Sequence, residues 1–70
     1  MKNFIRELRT DLELTQEELA NLCDVSRQTI NAIENNKYNP TLLLAIKLAK
    51  VLDTTVEKLF IIEEEEEEDE

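Results

Sequence analysis

The sequence predicts an all-α domain of five short helices, and three observations carry that expectation. Glycine is absent and Pro40 is the only proline, against an ordinary glycine content of roughly 7%, so the usual helix breakers are nearly missing. Apolar residues recur at helical spacing, and no stretch of any length alternates apolar with polar residues. Ser or Thr stands ahead of an apolar run at Thr15, Ser26, Thr41 and Thr54, where a side-chain oxygen can accept a backbone N–H of the first turn.

The first helix is expected over about Asn3 to Asp11, with Ile5 and Leu8 facing inward. The second begins at "LTQEELANLC", where Thr15 and Glu18 have capping-box spacing and Leu14 can staple onto Leu19. Ser26 caps the third helix, with Val25 and Ile30 as the staple pair, and this helix runs to about Glu34. The fourth follows Pro40 and Thr41 through "LLLAIKLAKVL", and the fifth is the short "TTVEKLF", with Thr54 and Glu57 again at capping-box spacing.

About three residues, Cys23, Asp24 and Val25, join the second and third helices, which is the helix-turn-helix signature. Such turns need a residue with positive φ, and without glycine the likeliest substitutes by chemistry are Asp and Asn. Asp24, Asn36 and Asp53 stand at those positions. Cys23 is apolar enough to help close the core and is expected to be a structural thiol.

The fourth helix is too apolar for one face. Leu44, Ala45, Leu48 and Leu52 form a core stripe, which leaves some of Leu43, Ile46 and Val51 outside it. An unbroken apolar run, Leu59, Phe60, Ile61 and Ile62, then precedes the acidic end. With Leu43, this run is the expected homodimer contact, and the alternative is simple core closure. Ile61 and Ile62 are β-branched, so a short extended segment after the fifth helix, pairing across the dimer, is compatible with them.

Composition excludes several functions. Seventy residues make one domain with one small core. There is no run of about 18 apolar residues to span a membrane and no signal-peptide pattern in "MKNFIRELRT", so a cytoplasmic location is expected. With no His and a single Cys, neither a metal site nor a nucleophile with its base is expected. No cofactor or small-molecule ligand is expected either. The formal net charge is −9, yet eight of the 17 acids lie in Glu63 to Glu70. That leaves nine acids against eight bases, a net charge of −1, over residues 1–62. Residues 63–70 read as a disordered acidic tail, either a solubility feature or a segment that competes for the chain's own basic face.

The stretch "VSRQTINAIENNKYNP" carries the chemistry. Val25, Ile30 and Ile33 lie on one side of the third helix, whereas Arg27, Gln28 and Asn31 lie on the other, with Ala32 at the edge. Arg suits guanine, Gln or Asn suits adenine, and the Thr29 methyl suits thymine. The following loop offers Lys37, Tyr38 and Asn39 as phosphate donors, and Gln16 stands at the amino end of the second helix. The plainer alternative is a solvated polar helix face.

The segments "LTQEELA", "VSRQTINAIEN", "KYNPTL" and "LAIKLAKVL" resemble the Xre/Cro type of helix-turn-helix DNA-binding domain, found in phage repressors and many short bacterial and archaeal regulators. The resemblance covers about Ile5 to Phe60 and is nearest to stand-alone homodimeric repressors. It implies a compact five-helix fold of the lambda-repressor type, with Arg27, Gln28, Thr29, Asn31 and Ala32 reading bases in double-stranded DNA. It also implies Gln16, Asn35, Lys37, Tyr38 and Asn39 at or near phosphates, and a partly buried ion pair between Arg9 and Glu34. The family commonly has glycine where this chain has Glu13, Asp24, Asn36 and Asp53. Since Glu has no special tolerance for positive φ, the first turn is expected to differ in shape. The implied function is a non-enzymatic, sequence-specific regulator, a repressor on a palindromic operator. The alternative from another class is a protein-interaction module, antitoxin-like or adaptor, that keeps the fold and uses its apolar end or acidic tail.

Overall fold

Hydroxyl side chains set where the helices begin. The computed structural model describes residues 1–62, and its elements are β1 (Lys2–Asn3), α1 (Ile5–Asp11), α2 (Gln16–Cys23), α3 (Arg27–Glu34), α4 (Leu42–Val51), α5 (Val56–Leu59) and β2 (Phe60–Ile61). The expected acidic tail, residues 63–70, lies outside the described residues. Among the described residues no helix is long and apolar enough to cross a membrane.

Thr15 Oγ1 accepts from the Glu18 N–H at 3.0 Å and Glu18 Oε1 accepts from the Thr15 N–H at 2.8 Å, completing the expected capping box of α2. Ser26 caps α3 by accepting from the Thr29 N–H at 3.1 Å, and Thr41 caps α4 by accepting from Leu44 at 3.2 Å. Each such cap contributes about 1 kcal/mol. The fifth helix departs from expectation. Its cap is Thr55, which accepts from the Lys58 N–H at 3.2 Å, rather than Thr54. The Thr54 N–H is already donated to the Ala49 carbonyl at 2.8 Å, where it closes α4.

The helices that precede turns end in one repeated way. Glu13, Asp24, Asn36 and Asp53 all adopt left-handed backbone, with φ of 61°, 62°, 63° and 59°. In each case the next residue donates its N–H to the carbonyl five positions back: Leu14 to Arg9, Val25 to Ala20, Lys37 to Ala32 and Thr54 to Ala49, at 2.8–3.0 Å. This satisfies carbonyls that the helix end leaves unpaired. The first turn therefore keeps the common shape despite Glu13, contrary to expectation, because the closing bond outweighs the side chain's preference.

The core joins Ile5 of α1, Leu19, Ala20 and Cys23 of α2, Ile30 and Ile33 of α3, Leu44, Ala45, Leu48 and Ala49 of α4, and Leu52, Leu59 and Phe60. The expected α4 stripe is present, and Leu43 and Ile46 lie outside it. The Cys23 thiol is buried, and burial pushes its pKa up despite a partly opposing effect of Lys47. It is a packing group.

The C-terminal apolar run does not form one surface. Leu59 is fully buried and Phe60 is 3% exposed, whereas Ile61 and Ile62 are 37% and 63% exposed. Within β2 the backbone is extended, so Phe60 turns to the core and Ile61 to the outside, and Ile62 lies beyond the strand. β2 pairs antiparallel with β1 of the same chain, Lys2 opposite Ile61 and Asn3 opposite Phe60. The extended segment expected to pair across a dimer is thus used within the protomer, and Leu59 and Phe60 belong to its own core.

The α1 helix is fixed to the rest largely by charge. Arg9 Nε lies 2.8 Å from Glu34 Oε2, and the Glu34 side chain is fully buried. Glu34 Oε1 also accepts from Gln16 Nε2 at 3.0 Å and from Arg6 Nε at 3.4 Å, while Arg9 Nη1 donates to the Leu14 carbonyl at 2.9 Å. Burial alone would raise the Glu34 pKa; the hydrogen bonds from Arg9 and Gln16, with the charges of Arg9 and Arg6, more than offset it and leave the pKa lowered.

Two predictions follow from these features. Glu13→Gly should stabilise the domain by about 0.5–1 kcal/mol, since left-handed strain costs an L-residue roughly 1–2 kcal/mol and glycine's extra unfolded entropy returns part of that. Asp24→Gly and Asn36→Gly should be neutral or mildly stabilising, and thermal melts with all three variants less stable would contradict the turn geometry. Arg9→Met should cost about 3 kcal/mol at pH 7, whereas Arg9→Met with Glu34→Met should recover most of it. Because the folded pKa of Glu34 is depressed, its stabilisation is present above the unfolded value of about 4.3 and is lost as pH falls through the folded value. The Arg9→Met deficit should therefore shrink in acid; a deficit equal at pH 7 and pH 3 would rule out the ion pair as its source.

Candidate nucleic-acid interface

The α3 helix is divided between two tasks. Ile30, Ile33 and Glu34 face inward; full burial of each isoleucine contributes about 2–3 kcal/mol. Arg27, Gln28 and Asn31 are exposed, and Ala32 is half-buried, as the spacing predicts. Thr29 is also half-buried, and its hydroxyl lies 3.0 Å from the Ser26 Oγ, so part of its polar capacity serves the cap. The outward face carries donors and acceptors at the amino-terminal end of a capped helix, with the short Asp24–Ser26 turn behind it.

Grooves flank this end on both sides. One is lined by Arg27 with Arg9, Thr10, Glu13, Thr15, Gln16 and Glu17. The other is lined by Thr29, Tyr38, Thr41, Leu43 and Lys47 above the buried Cys23. Lys47 is a cation beside α3 that sequence reasoning missed. Its only sequence signal is its place one turn after Leu43 on a helix whose other face is core.

The predicted phosphate residues divide. Lys37 and Tyr38 are exposed in the loop after α3. Asn39 is exposed, and its Oδ1 accepts from the Met1 amine at 3.3 Å. Asn35 is bound on both sides: Oδ1 accepts from Arg6 Nη2 and Nδ2 donates to Asn31 Oδ1, each at 3.2 Å. Gln16 differs most from expectation. One N–H of its amide is donated to Glu34, and the neighbouring Glu17 and the Glu18 carboxylate of the capping box make the start of α2 acidic. The second N–H of the amide remains beside the groove that Gln16 lines with Arg27.

The N-terminal segment holds the loop from behind. Asn3 Nδ2 donates to the Ile33 carbonyl at 2.9 Å and to Asn36 Oδ1 at 3.4 Å, while its Oδ1 accepts from the Ile5 N–H at 3.1 Å. One side chain thus ties β1, the start of α1 and the end of α3 together.

Comparison with known proteins agrees with this geometry. The helix-turn-helix family profile matches residues 5–59. The chain is 50% identical over 66 residues to an uncharacterised HTH-type transcriptional regulator of Methanocaldococcus jannaschii, covering 94% of this chain and 100% of that protein. Among solved structures, the restriction-modification controller protein C.AhdI from Aeromonas hydrophila superposes with a TM-score of 0.74 at 39% identity, over 80% of this chain and 85% of that one. A chain of the SinR protein/SinI protein complex superposes with a TM-score of 0.75 at 27% identity, over 91% of this chain and 68% of that one. With an α2–turn–α3 unit of this shape and a profile match that spans all five helices, the chain belongs to the helix-turn-helix family of DNA-binding transcriptional regulators, a non-enzymatic class.

Proposed function

We propose that this regulator is a cytoplasmic repressor that binds a palindromic operator as a homodimer, with α3 of each protomer in the major groove. The observation that carries this reading is the outward face of α3, where Arg27, Gln28 and Asn31 stand exposed on a helix anchored by Ile30 and Ile33. Base edges are met there by Arg27, Gln28, Asn31, Thr29 and Ala32. Lys37, Tyr38 and Asn39 of the loop, and Lys47 of α4, meet phosphates on either side.

The dimer contact is built from Ile61 and Ile62, backed from inside by Leu59 and Phe60, together with the exposed α4 residues Leu42, Leu43 and Ile46. A two-fold axis there sets two recognition helices about 34 Å apart, one turn of DNA. The same exposed apolar side chains favour one second reading, a protein-interaction module. The superposition on a chain of the SinR protein/SinI protein complex keeps that reading in view.

Selection from a random duplex pool should return a palindrome with half-sites one turn apart; an unenriched pool would remove the DNA reading. Arg27→Ala should weaken the selected site by roughly 5- to 150-fold, and Lys37→Ala should weaken all sequences alike while reducing the salt slope by about 1. Under the interaction-module reading, neither substitution changes partner binding. Ile61→Asp and Ile62→Asp should halve the solution mass and lower operator affinity, whereas Phe60→Asp would unfold the protomer instead. An unchanged mass in both isoleucine variants would exclude this interface. Removing residues 63–70, which carry eight acids, should raise non-specific affinity at low salt; an unchanged low-salt affinity would leave the tail with no electrostatic role in binding.

A further inference from the structure

An arginine can only donate hydrogen bonds, and this sets the polarity of a relay that ends on the recognition helix. Arg6 Nε lies 3.4 Å from Glu34 Oε1, and Arg6 Nη2 donates to Asn35 Oδ1 at 3.2 Å. With its oxygen committed to the guanidinium, the Asn35 amide has its nitrogen on the other side. That nitrogen donates to Asn31 Oδ1 at 3.2 Å. The opposite amide orientation would face the NH₂ group of Asn35 toward the guanidinium, donor against donor, so the network chemistry assigns it. Asn31 therefore has its oxygen engaged along the helix surface and its Nδ2 left over.

We propose that Arg6 and Asn35 are positioning residues that set the base preference of Asn31, by making it a hydrogen-bond donor toward the major groove. An unconstrained asparagine matches adenine, accepting from N6 and donating to N7. An asparagine whose oxygen is already engaged seeks acceptors, which are N7 of either purine, O6 of guanine and O4 of thymine. Cytosine, which presents its N4 amine there, is the base it should reject. This reduces the bidentate adenine pairing expected of Asn31 from its residue type alone to a single donation to N7, which guanine offers equally. It also links base choice to the buried Glu34, because the same guanidinium touches both Glu34 and Asn35. The inference rests on the proposed placement of α3 in the major groove.

Site selection from a random duplex pool separates the possibilities. Asn31→Ala marks the position concerned, as the one where preference is lost. At that position the wild-type protein and Arg6→Lys, which keeps a donor, should deplete cytosine and accept the three bases that present an acceptor. Arg6→Met frees the Asn35 amide and should reduce the preference about fivefold, the worth of one hydrogen bond. Asn35→Asp is the decisive variant. Its carboxylate only accepts, so it keeps Arg6 and draws Asn31 Nδ2 toward it, turning Asn31 Oδ1 outward. Cytosine, whose amine donates, should then gain by about tenfold over guanine and thymine, while adenine, which presents both a donor and an acceptor, changes little. Asn35 is exposed, so this variant retains the fold, which a thermal melt checks. The same base in wild type, Arg6→Met and Asn35→Asp overturns the proposal, as does a uniform loss of affinity with the base unchanged, the result of a merely structural or electrostatic role. A wild-type pool that enriches no sequence fails differently, removing the DNA reading and the proposal together.

Discussion

Moving an ionised carboxylate out of water costs several kcal/mol unless donors replace its hydration, and Glu34 obtains its donors from two other helices. Arg6 and Arg9 reach it from α1 and Gln16 reaches it from α2, while Glu34 itself closes α3. Apolar contacts already join α2, α3 and α4, but α1 contributes only Ile5 to the fully buried core, with Leu8 at its margin. The placement of α1 therefore depends on where two guanidiniums must sit to satisfy one carboxylate, together with the Asn3 side chain and the β1–β2 pairing that hold its start. Removing either partner alone is worse than removing both, because the remaining charge stays buried without its counterpart. Among the described residues no buried side-chain nitrogen or oxygen lacks a hydrogen-bond partner, so the polar interior is fully paired.

A second constraint acts on the turns. A chain with no glycine must put ordinary L-residues into left-handed backbone wherever a helix closes with a bond five residues back, at roughly 1–2 kcal/mol each. Four positions accept that cost. What holds them there is the pairing of helix-end carbonyls with the next N–H, since such a carbonyl left buried and unpaired costs a comparable 1–3 kcal/mol. The side chain at the turn adjusts the cost but does not choose the shape. This is why Glu13, with no local chemistry suited to φ of 61°, makes the same turn as Asn36.

Features set by neighbours within one turn were legible in the sequence. Thr15 with Glu18, Ser26 and Thr41 needed only their own helices to act as caps, and the α4 stripe followed from spacing. Features set by a distant partner were not. Thr54 and Thr55 have the same capping chemistry, and the choice between them rests on Ala49, whose carbonyl takes the Thr54 N–H. The pairing of Lys2 and Asn3 with Ile61 and Phe60 joins the two ends of the fold through strands of two residues each, too short to leave a pattern. Gln16 was readable as a polar residue at the start of α2, but its bond to the buried Glu34 carboxylate, 18 positions away, was not. At the recognition face, residue types and exposure of Arg27, Gln28 and Asn31 were readable, whereas the direction of the Asn31 amide depends on Asn35 and, through it, on Arg6 of α1.

The distribution of cations makes that direction matter. Arg6 and Arg9 are held by Glu34, and Lys50 and Lys58 line a groove with Asp53, Thr54 and Thr55 at the far end of α4. Beside α3 stand Arg27, Lys37 and Lys47, and Glu13 and Glu17 share the groove of Arg27. Phosphate contacts supply affinity without sequence information, in proportion to the number of charges neutralised. Whatever these cations gain from the backbone of a duplex they gain from any duplex, right or wrong. Discrimination must then come from how donors and acceptors on α3 are turned, and the residues that turn them lie partly in α1, outside the helix-turn-helix itself.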